Sequence, residues 1–183
     1  MALAPIDIAA RQIGLNEHDK AAALTDFMRT GGQNLDPATT AWCAAFMNAS
    51  LRQAGLEGTD SLAARSFMGW GSPVSDPQRG DVAVFSRGAP GSGQGHVGFF
   101  EGYNPDGTIR VLGGNQGDAV SIASFSPDQL LGFRRAPGAD PLSAYGQQED
   151  VASVEPDPLA ARPTVPQAQM LDPAMFMNRR RFG

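Results

Sequence analysis

From Asp76 onward the apolar pattern of this chain changes period. Ahead of that point apolar residues recur at helical spacing; beyond it they come in short runs separated by turns that carry glycine. A block of helices followed by a block of strands leaves few architectures open. The order points to an α+β layering, with the helices on one face of an antiparallel sheet, and not to a helical bundle.

The helical block divides at its glycines. Ile6, Ile8, Ala9, Ile13 and Leu15 have helical spacing, Pro5 is acceptable in a first turn and Gly14 is a stop. A second helix is predicted over 20–29, with Ala22, Ala23, Leu24, Phe27 and Met28 inward and Gly31 and Gly32 at its end. The third opens at Cys43 and is carried inward by Ala44, Ala45, Phe46, Met47, Ala49 and Leu51 until Gly55, with Thr39 or Thr40 as its cap. A short helix is expected over 62–68, capped by Ser61 and broken after Trp70 by Gly71 and Pro73.

In the second block the turn 77–81 feeds a strand at 82–85. Residues 86–95, mostly Gly, Ser, Pro and Gln, are expected to form a mobile loop. Strands follow at 97–103 and 108–112 around a hairpin turn at 104–107, then at 119–124 and 131–135. The expectation is three or four helices and a meander of about five antiparallel strands. Residues 1–137 form this domain; 138–183 read as a Pro- and Ala-rich flexible tail without sustained periodicity. Its last part, 170–183, joins Met170, Leu171, Met175, Phe176 and Met177 to Arg179, Arg180 and Arg181, a composition suited to docking on another protein.

Composition excludes several classes. A net charge of −5 leaves no footprint for nucleic acid. No apolar run approaches the roughly 18 residues needed to cross a bilayer. The first residues carry no secretory signal, so the chain is expected to be made in the cytoplasm. One cysteine cannot form an internal disulfide.

That cysteine is the candidate nucleophile. In the first turn of a helix, unpaired N–H groups and the helix dipole favour a thiolate; the bland alternative is a small core residue. A thiol needs a base, and the base needs an orienting partner. Of the two histidines, His18 lies in a polar stretch, whereas His96 stands where the glycine-rich loop becomes a buried strand. Drawing the hairpin with its turn at 104–107 brings Val97 near 112–114, which places Asn115 close to His96. Its carboxamide oxygen would take the Nδ1 proton and leave Nε2 to face Cys43, with Gln116 and Asp118 as alternatives for the orienting role.

The order Cys, His, Asn, carried by 42–46, 94–100 and 112–118, resembles the papain-like cell-wall hydrolases of the NlpC and CHAP type, and most closely a phage- and prophage-associated subgroup. The likeness runs from residue 6 to about 137 and includes the segments 7–11, 64–67, 79–82 and 131–135. It implies a papain-like fold with Cys43 as nucleophile, His96 as general base and then acid, and Asn115 as the orienting residue. Trp42, Arg65 and Gln116 would contact substrate. The glutamine that papain-type enzymes carry before the cysteine has no clear counterpart, which leaves the Cys43 N–H as oxyanion donor. The resemblance implies peptidoglycan as substrate, no metal and no organic cofactor. The alternatives are a structural virion or tail component anchored through 170–183, and an exported antibacterial effector.

Overall fold

The computed structural model describes residues 3–89 and 91–138. The expected tail and its docking segment at 170–183 therefore lie outside the described residues. Within them the chain has a papain-like α+β fold: helices α1 (Pro5–Ala10), α2 (Ala21–Thr30) and α3 (Cys43–Gln53) pack on an antiparallel sheet of six strands.

The α3 helix is the centre of the domain. Every residue from Cys43 to Leu51 is buried, as expected of a helix enclosed on all sides. The α1 helix contributes Ile6, Ile8 and Ala9 to the same core, and α2 contributes Leu24, Phe27 and Met28. The two longer helices come close at Gly31, where a Cβ would lie 2.6 Å from the Ala49 backbone. Only a residue without a side chain fits there.

The strands are β1 (Ser72–Val74), β2 (Val82–Ser86), β3 (Gly95–Tyr103), β4 (Ile109–Gly113), β5 (Ser121–Phe125) and β6 (Leu130–Arg135), in the spatial order β1-β6-β2-β3-β4-β5. From β2 to β5 the chain meanders as expected. At the other end it does not, because β6 returns across the sheet to lie between β1 and β2. Arg135 explains part of this. Its guanidinium is held by both carboxylate oxygens of the buried Asp81, at 2.9 and 2.7 Å, which ties the last strand beside the start of β2. The first strand, three residues long with Pro73 in it, carries too short a pattern to be read from sequence.

Alternation along the strands sends side chains to two clusters. Val82, Val84, Val97, Phe99 and Leu112 join the helices. Ala83, Phe85, Phe100, Ile109, Val111 and Phe133 form a second cluster on the other face. There Phe85 of β2 stacks on Phe125 of β5 with centroids 4.7 Å apart, although β3 and β4 lie between those strands. At roughly 4.8 Å per strand a flat sheet would hold them much farther apart. The sheet is therefore curled, and the curl buries the face that the helices leave uncovered.

Local details differ from expectation. Ser61 Oγ accepts the Ala63 N–H, but the segment after it is a tighter 3₁₀ turn, Ala64–Gly69. Neither Thr39 nor Thr40 caps α3: both lie in a turn closed on Asp36, and α3 begins behind Trp42 with no side chain on its free N–H groups.

Candidate active site

Cys43 is the first residue of α3 and is 4 % exposed, enough to line a cleft of about 350 Å³. Segments 62–64 and 93–95 and the side chain of Arg87 complete its walls. The backbone N–H dipoles of Val97 in β3, then of Ala44 and of Cys43 itself, stabilise negative charge on the sulfur. These dipoles and the positive charge of Arg87 favour a thiolate, yet burial outweighs them and pushes the thiol above its ordinary value. The expectation of a thiolate set up by the helix start alone is thus corrected. Removal from water costs the anion more than one helical turn returns.

His96 is the residue that precedes Val97, so the Val97 amide belongs to the peptide bond that His96 begins. Its ring is 1 % exposed and lies parallel to Phe125, centroids 4.9 Å apart. Nε2 is 3.0 Å from Oε1 of Gln116. The Gln116 amide nitrogen is committed to the Ser121 carbonyl at 2.6 Å and the Val111 carbonyl at 3.3 Å, so the oxygen must face the ring. An oxygen can only accept, and Nε2 therefore carries the proton. Nδ1 is left as a lone pair, buried and without a hydrogen-bond partner among the described residues. Burial above all, with Arg87 adding to it and the Gln116 bond opposing it, pulls the imidazole down to about 4. The ring is a neutral base whose accepting nitrogen is vacant.

The orienting bond expected of Asn115 is made by Gln116, and through Nε2 rather than Nδ1. Asn115 sits at φ 58° at the tip of the turn after β4, a left-handed conformation that asparagine tolerates, and its side chain makes no hydrogen bond among the described residues. The turn rotates Asn115 away and brings in the next side chain. Close packing beneath sets that rotation: a Cβ on Gly114 would lie 2.5 Å from Trp42 and 2.8 Å from Phe46, and one on Gly113 would meet Gln116 Oε1 at 3.0 Å and His96 Nε2 at 3.4 Å.

The side chains expected to meet substrate are otherwise engaged. Gln116 is spent on His96. Trp42 is fully buried with its indole N–H on Glu17 at 2.9 Å, which makes it core. Arg65 donates to the Gln94 carbonyl at 3.0 Å and so holds a wall of the cleft. His18 is exposed, 3.6 Å from Asp118, and does not line the cleft. The loop expected to be mobile is framed by hydrogen bonds, from Arg87 N–H to the Gln94 carbonyl at 3.1 Å and from Ser92 Oγ to the Arg87 carbonyl at 2.8 Å. Arg87 and Phe125 were the functional neighbours without a sequence signal of their own: one basic residue in a polar loop, one apolar residue in an alternating strand.

A thiol at a helix start and a neutral, buried imidazole fixed by a carboxamide are groups that acyl transfer uses. A family model, the CHAP domain, matches residues 35–115, somewhat less than half of the chain. The matched span holds Cys43 and His96 and stops just short of Gln116. It supports a CHAP-type cell-wall hydrolase. No curated protein matches the chain.

Proposed function

We propose that this protein is a peptidoglycan hydrolase, a cysteine peptidase or amidase that opens an amide bond of the bacterial cell wall. The observation that carries the reading is His96 itself, one ring nitrogen locked by Gln116 and the other bare, next in the chain to Val97, whose amide dipole acts on the Cys43 sulfur. The CHAP match, which implies peptidoglycan-hydrolase activity, supplies the substrate class.

The chemistry follows from the protonation states. At neutral pH both thiol and imidazole are uncharged, so the reaction begins with His96 Nδ1 moving within hydrogen-bond reach of the sulfur and taking the Cys43 proton as sulfur attacks the carbonyl carbon. The oxyanion that forms is met by N–H groups at the start of α3, where no preceding turn uses them. The imidazolium returns its proton to the departing amine and an acyl-enzyme remains. Water, deprotonated at the same Nδ1, releases the acid and restores the thiol. Throughout, Gln116 holds the Nε2 proton in place and steadies the charged ring.

Digestion of purified murein followed by mass spectrometry of the fragments tests this and names the bond. Cys43→Ala and His96→Ala are expected to leave the murein intact; digestion by Cys43→Ala at the wild-type rate refutes it. The finer reading places the enzyme on a phage particle, acting at the wall during entry or lysis. The likeness to phage- and prophage-associated hydrolases and the apolar and basic composition of 170–183 support it. A chain cut at 138 should then digest murein but fail to enter particles; incorporation without the tail refutes the docking role.

A further inference from the structure

Among the described residues that line the cleft beside Cys43, Arg87 is the one charged residue and none is acidic. The protein as a whole carries a net charge of −5, so the cleft runs against its overall sign. Arg29, Arg52, Arg79 and Arg135 face carboxylates, Arg65 and Arg134 face carbonyls, and the other described arginines without a partner, Arg11 and Arg110, do not line the cleft. The Arg87 guanidinium makes no hydrogen bond or ion pair among the described residues. Its backbone, by contrast, is fixed on both sides, through the Gln94 carbonyl and Ser92 Oγ, and Ser86 next to it holds the Gln129 carbonyl at 3.1 Å. The stem is held and the head is free.

We propose that Arg87 is a specificity-determining residue that binds a free carboxylate of the substrate, on the amino acid next to the bond that Cys43 attacks. A guanidinium presents paired donors that match a carboxylate in a two-point contact, and a carboxamide cannot offer it the same charge. The peptide stems of peptidoglycan carry such carboxylates, so the proposal rests on the hydrolase reading and narrows it to acidic stems. The position also links binding to chemistry. Arg87 lies close enough for its charge to bear on both Cys43 and His96. Unneutralised, it opposes the imidazolium that the reaction must form. A bound carboxylate removes that opposition, so the correct substrate also improves the base.

The test uses the full chain and two soluble murein preparations, one with free carboxylates and one with the same carboxylates converted to amides by carbodiimide and ammonia. Wild type should favour the acidic preparation in kcat/KM by roughly 10- to 100-fold, the range for a hydrogen bond to a charged group. In Arg87→Ala that preference should fall towards one, and Arg87→Lys should restore part of it. Thermal melts and alkylation of Cys43 show whether the variants keep their fold and cleft, and the ratio of the two substrates cancels any general loss of rate. A preference that persists undiminished in Arg87→Ala, or a wild type indifferent to amidation, overturns the role of Arg87 alone. Failure of the wild type to cut either preparation overturns the hydrolase reading, and this proposal with it.

Discussion

Acid should act on this fold through a single imidazole. His96 is held neutral by burial, with its value brought from 6.5 to about 4. The unfolded chain accepts that proton first as pH falls, so the contribution to stability is complete above about 6.5. It is lost progressively between 6.5 and about 4, and is gone below that. The span from 6.5 to about 4, at about 1.4 kcal/mol per pH unit, amounts to about 3 kcal/mol. That is a large part of the 5–15 kcal/mol typical of small domains, roughly speaking. Urea titrations of wild type and His96→Phe at a series of pH values isolate it, because phenylalanine keeps the stacking on Phe125 and cannot take up a proton. The variant starts lower by a fixed amount, since Gln116 Oε1 loses its donor. From pH 7 to 4 the gap should close by about 3 kcal/mol as wild type alone pays for protonation. A gap that stays constant across this window would show that the ring takes up its proton as readily in the fold as in the unfolded chain, and the account of a bare, buried base would be wrong.

The two neighbours in the turn after β4 should part company: Gln116→Ala is expected to lower kcat on murein roughly 100-fold, within the range of general-base effects, while Asn115→Ala changes it only a few-fold. Equal losses would reassign the orienting role. Gly114→Ala, whose Cβ would meet Trp42 at 2.5 Å and Phe46 at 2.8 Å, should destabilise the domain by about 1–3 kcal/mol in thermal or urea melts, and a neutral result would mean that the turn lifts freely off α3. Because burial raises the Cys43 thiol, its alkylation by iodoacetamide should keep accelerating past pH 9; a plateau at neutral pH would reveal a thiolate already formed.

The helices, the β2–β5 meander and the positions of Cys43 and His96 were legible because each rests on local pattern: apolar spacing, glycine stops and a hairpin turn. Gln116 was harder. Adjacent residues of a tight turn point in different directions, and which one faces His96 depends on how Gly113 and Gly114 are pressed against Trp42 and Phe46, a contact between segments some seventy residues apart in the chain. The thiol's protonation state was misjudged for a related reason. A helix start is visible in sequence, but the depth at which it is buried is set by the strand that covers it. The place of β6 likewise depends on a pairing of Arg135 with Asp81 that no local window contains. Trp42 stands beside the cysteine in sequence, yet the turn that leads into α3 directs it into the core.

The return of β6 to a place between β1 and β2 has a consequence for biosynthesis. Among the described residues β1 pairs with β6 alone, so the amino acids that complete this layer are among the last of the domain to leave the ribosome. A partly translated chain holds Cys43 but not the finished scaffold around it. Assembly of the layer must await the whole domain, which defers the complete cleft until synthesis has passed residue 135.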